Sequence, residues 1–352
     1  MWRVGTDVLS HHPSGANNFM TSAYKRAMMS YNEKVDQVHL LLEYTFGLLI
    51  AKDFATAKEE LRLYPNIEKG VVHKQSRINN IAWWSVVAEG YLGLIDYVLW
   101  KSTVLHCTNS NDFSQSGAAD DFSSQHAKLG SSACQHFSEV ISKPGVWDIF
   151  IQKYIEILVF YGKSDDAKCA LETYSVTHQD NPNAHKMLYA FVCDHQPTSS
   201  NSTCSTVDVK ITILKRLVQV APSEEIVLDL HHLLFHKWLK DGDPQARCHF
   251  EADSNLTESV EVLLNMLDYF CWRDAPNIWK ALYDAIQWIK KKTGRKQMLK
   301  YIRNIFVASE RIHWWPAYHF SESSVLIESS SNVKIIEKSK SFIAHLINLI
   351  AE

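Results

Sequence analysis

Apolar residues recur at helical spacing in segment after segment of this chain, with short polar breaks between them. Val35, Val38, Leu42, Thr45 and Leu49 mark one face of a helix, Lys52-Asp53 turns the chain, and Phe54, Ala57, Leu61 and Tyr64 mark a second face that Pro65 stops. That is an αα-hairpin. A second hairpin follows the same plan: Trp147, Phe150, Ile151, Tyr154, Leu158 and Tyr161 line one helix, Gly162 supplies a left-handed cap, and Ala167, Leu171 and Tyr174 line the return. Placing Ala57 on Ala167 sets Phe54 beside Ser164 and Leu61 beside Leu171, a loose tetratricopeptide-like pattern without the full signature of such repeats. The first helix of the second hairpin also carries Ile157 and Phe160 on its other side, so it is expected to lie between neighbours.

The same spacing predicts helices from Ile78 to about Leu105, Asp121 to Ile141, Asn183 to Cys193, Val207 to Val220, Ser223 to Leu239, Leu256 to Cys271, Ala275 to Ile289 and Val333 to Ile350. No run alternates with the period of two that a strand requires. The expected fold is all-α, built of stacked antiparallel helical hairpins as a tetratricopeptide-like solenoid. Three Ser-rich stretches interrupt it, Cys107 to Gln125, Gln196 to Thr206 and Ser321 to Asn332, and read as loops. Seven of the eleven residues from 196 to 206 are Ser or Thr, too little apolar area to offset the entropy of ordering. A domain division is therefore expected there, between a helical-hairpin region (1–195) and a C-terminal helical region (207–352), unless one solenoid runs through both.

Composition agrees with helices. Twelve Gly and nine Pro in 352 residues, about half their usual share, leave too few punctuating residues for sandwiches, barrels or Rossmann turns. A net charge of −3 supplies no global field toward nucleic acid, so any such contact needs a local patch. The seven Cys include no C-x-x-C pair, which speaks against a zinc ribbon, and their odd number against a disulfide framework. No long apolar stretch reaches about 18 residues unbroken by charge or His, and the opening residues lack a signal-peptide pattern, so neither membrane insertion nor secretion is expected.

Candidate chemistry is sparse. His231, His232 and His236, with Cys248 and His249, are the best case for a metal, but Leu233 stands where a zincin needs Glu, and structural histidines are expected. No phosphate-cradling glycine motif or nucleophile elbow occurs. Asp165-Asp166 sits where carboxylates complement a helix N-terminus. Thus no catalytic residue, cofactor, metal or small-molecule substrate is expected. The single dense charge run is Lys290-Lys291-Lys292 with Arg295 and Lys296, followed by Lys300 and Arg303. It reads either as a phosphate-binding or nuclear-import patch, or as cations complementing the C-terminus of a helix capped by Gly294. Trp314-Trp315-Pro316 places two indoles ahead of a Pro that fixes a turn, either as core or as anchors for a partner protein.

Three ordered blocks carry a family resemblance. Lys143-Pro144-Gly145-Val146-Trp147-Asp148 with Phe150, Tyr154, Glu156, Leu158 and Phe160-Tyr161-Gly162 resembles the central signature of the A subunits of the RNA polymerase I promoter selectivity factor. Asn181-Pro182-Asn183-Ala184-His185 with Leu188-Tyr189 and Phe191 is similar to the family's next block, and Trp314-Trp315-Pro316 with His319-Phe320-Ser321 to a third. Trp2, Val4-Gly5 and His12-Pro13 resemble a segment that in the family follows further helices, so the chain is expected to be N-terminally shortened and to be without the family's basic C-terminal tail. The resemblance implies a non-enzymatic scaffold subunit, nuclear and nucleolar. Its implied partners are the TATA-binding protein and other polymerase I-specific associated factors, with ribosomal promoter DNA reached mainly through the complex. The alternative is a direct nucleic-acid-binding module acting through the Lys290 to Arg303 stripe.

Overall fold

The computed structural model describes residues 24, 26, 34–62, 75–109, 118–143, 145–195, 206–241, 254–320 and 331–351. Among them are fourteen α-helices and no strand, so the chain is all-α. The helices group into two units, Met1–His178 and Gln179–Glu352. The second unit thus includes the helix that begins at Pro182, and the division drawn at 196–206 stays a sequence expectation, since 196–205 lie outside the described residues.

The first unit contains α1 (Lys34–Ile50), α2 (Phe54–Arg62), α3 (Gln75–Asn109), α4 (Ala118–Val140), α5 (Asp148–Phe160) and α6 (Ser164–Thr177). Helix α3, 35 residues long, organises it: Val87, Ala88, Leu92 and Ile95 pack with α1 and α2, while Gly90, Gly93, Tyr97 and Trp100 face α4 and α5. Leu41, Tyr44, Ala57, Leu61, Ala88 and Ile95 build the first core, and Trp100, Ala133, Phe137, Phe150 and Ile157 the second. Three glycines let these helices approach. A Cβ on Gly90 would meet the Phe150 ring at 2.3 Å, one on Gly93 the Phe137 ring at 2.7 Å, and one on Gly130 the Tyr161 hydroxyl at 2.8 Å.

The two hairpins read from the sequence are built alike. At the end of α1, Lys52 N–H donates to the Leu49 carbonyl and Asp53 N–H to Leu48; at the end of α5, Gly162 N–H donates to Val159 and Lys163 N–H to Leu158. Both are Schellman caps, with Lys52 (φ 62°) and Gly162 (φ 71°) in the left-handed position. Ala57 and Ala167, five residues later in each case, are completely buried. The side chains of Val35 and Val38, and all of Tyr64 and Pro65, lie outside the described residues.

The second unit contains α7 (Pro182–Asp194), α8 (Thr206–Val220), α9 (Val227–Asp241), α10 (Ser254–Leu267), a single 3₁₀ turn (Phe270–Trp272), α11 (Pro276–Thr293), α12 (Arg295–Ala308), α13 (Arg311–His319) and α14 (Ser331–Ala351). Successive helices pack on one another, and α14 reaches back onto α11 as well as onto α12 and α13. Several expectations need correction. Helix α9 begins at Val227, not Ser223, because residues 221–226 form turns. Helix α10 ends at Leu267, and Cys271 belongs to the 3₁₀ turn. Part of the stretch read as a loop from Cys107 to Gln125 is helical, α3 running to Asn109 and α4 starting at Ala118, with 110–117 outside the described residues. Residues 321–330 of the third Ser-rich stretch also lie outside them. Pro316 does not end a helix: it sits inside α13, which forgoes the N–H that would bond the Ile312 carbonyl.

Candidate functional site

The first signature block is the joint between α3, α5 and α6. Trp147 is the N-cap residue of α5 and stacks on Phe150, 5.9 Å between ring centres, and it lies 6.3 Å from Tyr91 of α3 while remaining 44% exposed. Asp148 accepts from the Tyr174 hydroxyl at 2.9 Å, tying α5 to its return helix α6. Glu156 accepts from Tyr97 at 2.6 Å and Lys101 at 2.5 Å on α3, and from Lys153 at 3.2 Å on its own helix. Burial alone would raise the Glu156 carboxyl, but these donors outweigh it and hold the pKa at about 2. Tyr154 packs into the second core, and partial burial raises its phenol. The Tyr161 hydroxyl accepts from Trp100 Nε1 at 3.1 Å and lies 3.1 Å from His126 Nδ1. Of the two residues expected on the far side of α5, Ile157 is fully buried, whereas Phe160 packs edge-on against Trp100 yet stays 49% exposed.

The second block is a helix start. Asn181 Oδ1 accepts from Asn183 N–H at 3.0 Å, and Pro182 occupies the first turn, where its missing N–H has no helical partner to lose. His185, buried, reaches the Gln179 carbonyl with Nε2 at 2.9 Å. In the third block the two indoles part company. Trp315 is completely buried and donates Nε1–H to Asp268 at 2.7 Å, while Trp314 is 39% exposed and lies 5.7 Å from the Tyr318 ring. Both sit on one short helix with Pro316 inside it, and His319 follows with both ring nitrogens buried and without a hydrogen-bond partner among the described residues. Desolvation against Trp279 and Trp315, with Lys340 and Arg273 nearby, lowers the His319 pKa to about 3.

The basic residues lie at one corner of the second unit. Lys290, Lys291 and Lys292 occupy the last turn of α11, Gly294 (φ 82°) turns the chain, and Arg295 and Lys296 open α12. All five are exposed, and Lys292 Nζ lies 5.3 Å from the Trp288 ring centre. The expected histidine cluster does not converge on a ligand site. His231 is buried and hydrogen-bonds Ser259, with desolvation lowering its pKa to about 4, while His232 and His236 are exposed. Cys248 and His249 lie outside the described residues, and among those described no three His, Cys, Asp or Glu side chains are arranged to hold a metal ion. Asp165 and Asp166 stand in the first turn of α6 and make no side-chain cap.

Two polar clusters escaped the sequence reading. In the first unit, fully buried Asp96 of α3 accepts from Lys58 at 2.5 Å and from Ser132 at 2.6 Å, with His136 bridging toward Glu89. Through Lys58, Asp96, Ser132 and His136 this cluster joins α2, α3 and α4. In the second, Asp268 accepts three bonds from Arg311, two from Nε at 3.0 and 3.2 Å and one from Nη2 at 2.5 Å, besides that from Trp315. A charged residue inside an otherwise apolar helical stripe, as Asp96 is, was the available signal for the first cluster. Nothing in the spacing linked Asp268 to residues more than forty positions away.

Comparison with known proteins adds an outside constraint. Residues 1–348 match a family model described as the TAF RNA Polymerase I A subunit. The human A subunit of TATA box-binding protein-associated factor RNA polymerase I is 27% identical over 339 residues, covering 91% of this chain and 64% of that protein. The mouse protein of the same name is 26% identical over 332 residues, covering 91% of this chain and 63% of its own length. The chain therefore spans a little under two-thirds of the length of these relatives.

Proposed function

Because the chain belongs to the A-subunit family of the TATA box-binding protein-associated factors of RNA polymerase I, we propose that it serves as a non-enzymatic scaffold subunit of the TATA-binding-protein-containing factor that assembles the polymerase I pre-initiation complex on ribosomal RNA gene promoters. It acts in the nucleus, at the nucleolus. The observation that carries this reading is the match of the family to residues 1–348, nearly the whole chain. The use of the signature residues supports it: Asp148, Glu156, Tyr161 and Asn181 fix helix joints and helix ends. A fold held in this way offers extended helical faces to several partners, in the manner of stacked hairpins. Of the signature aromatics, Trp147, Phe160 and Trp314 retain the exposure that a partner anchor needs.

The test is co-purification. The tagged chain, expressed in cells and isolated from nuclear extract through a salt series, is expected to retain the TATA-binding protein and polymerase I-specific associated factors at high salt. Isolation of the folded chain without any of them overturns the proposal.

A further inference from the structure

The cations at the α11–α12 corner fall into two groups with opposite electrostatic settings. Lys290, Lys291 and Lys292 lie in the last turn of α11, where the helix dipole favours positive charge, so folding alone accounts for them. Arg295 and Lys296 lie in the first turn of α12, where the dipole disfavours positive charge; that turn has no acidic residue and no side-chain cap. Folding does not account for these two. Along the same helix Lys296, Lys300 and Arg303 stand at i, i+4 and i+7, a single exposed row about 10 Å long. Lys290, Lys291, Arg295, Lys296 and Arg303 take part in no ion pair with the described residues, although acidic residues elsewhere in the unit pair with Lys186, Lys215, Lys237 and Lys340.

We infer that this corner is a sequence-independent binding surface for the phosphate backbone of duplex DNA. The choice of partner follows from what the surface contains. Base stacking on single strands needs exposed aromatic rings, and here Tyr301 is buried and Trp288 is only partly exposed, packed 4.5 Å from Trp238 and facing Lys292. An acidic peptide would need an apolar anchor among the charges; between Lys290 and Arg303 no large apolar side chain is exposed, and exposed Val307 lies one turn beyond the last cation. A row of cations without aromatic interleaving matches a continuous line of phosphates, which positions a protein without reading bases. The inference deepens the scaffold reading by assigning the chain its own grip on promoter DNA, and it rests on that reading only for which DNA is met in the cell.

The test uses the full chain and a fluorescent duplex of arbitrary sequence, read by anisotropy across a salt series. The variant is Arg295→Gln, Lys296→Gln and Arg303→Gln together. Removing one phosphate-neutralising cation lowers the slope of log affinity against log salt by about 0.9, so the triple variant is expected to flatten it by about 2 to 3. Its thermal midpoint should hold or rise, because two cations leave a helix N-terminus. A second variant, Lys290→Gln with Lys291→Gln, should flatten the slope further. Unchanged affinity and slope in both variants overturn the inference, as does a folded wild-type chain that does not bind the duplex at low salt. Co-purification with protein partners at high salt should be the same for wild type and variants, which separates failure here from failure of the scaffold reading.

Discussion

Replacing Gly90 by Ala sets two known quantities against each other. Gly in the middle of a helix is about 1 kcal/mol worse than Ala, so on propensity alone the substitution would stabilise α3. The new methyl group, however, would stand 2.3 Å from the tip of the Phe150 ring, more than 1 Å inside ordinary contact. That ring cannot swing aside easily. It is buried and stacked between Phe137 at 6.1 Å and Trp147 at 5.9 Å. Overpacking of this kind costs about 1 to 3 kcal/mol, and so close an approach falls at the upper end, which leaves a net loss of about 2 kcal/mol. Urea unfolding followed by far-ultraviolet circular dichroism measures it. The partner variant Phe150→Leu shortens the ring, so the double variant should lose less than the sum of the singles, with a coupling of about 1 kcal/mol or more. A Gly90→Ala protein as stable as wild type, or more stable, would refute the close helix approach on which the first unit is built.

Other outcomes follow from single residues. Lys52→Gly should stabilise the first hairpin by about 1 kcal/mol and Gly162→Ala should destabilise the second by a similar amount, because both positions are left-handed, at 62° and 71°; equal urea midpoints for all three proteins would contradict this. His231 and His319 have pKa values lowered to about 4 and about 3, so each folds best uncharged: full stability holds above the unfolded pKa near 6.5, and each pH unit below it removes about 1.4 kcal/mol per residue until the folded pKa is reached. His319→Phe should flatten the acid limb of stability against pH, and an unchanged limb would count against its buried neutral state. Trp315→Ala should cost about 3 to 5 kcal/mol by emptying a buried site and stranding Asp268, whereas Trp314→Ala should cost under about 1 kcal/mol and weaken partner recovery instead.

What the sequence disclosed depended on how local the physics was. Helical periodicity and the turns at Lys52 and Gly162 are set within a few residues, and the Gly162 cap, the Lys52-Asp53 turn and the all-α class were legible for that reason, whereas the left-handed backbone at Lys52, a residue without glycine's freedom, was not. Gly294 was legible as the end of α11 but not as the start of α12, since a glycine that stops one helix says nothing about the next. Pro316 misled because a short helix held by Trp315 and Arg311 on Asp268 tolerates the hydrogen bond it forgoes. The separation of Trp314 from Trp315 was equally hidden: adjacent helical residues point about 100° apart, and the positions of Asp268, Trp279 and Phe306, all outside that helix, decide which one is buried. Asp96 with Lys58, Ser132 and His136 joins three helices, and one-dimensional spacing carries no such information.

If this chain works within the polymerase I initiation complex, add-back transcription measures it most directly. A nuclear extract is depleted of its own member of the family, supplied with this chain, and assayed for accurate initiation from a ribosomal RNA gene promoter. Restored initiation, dependent on the TATA-binding protein and lost when the Trp315→Ala protein is supplied, is the expected result. A folded chain that enters no initiation complex and restores no transcript would contradict the account.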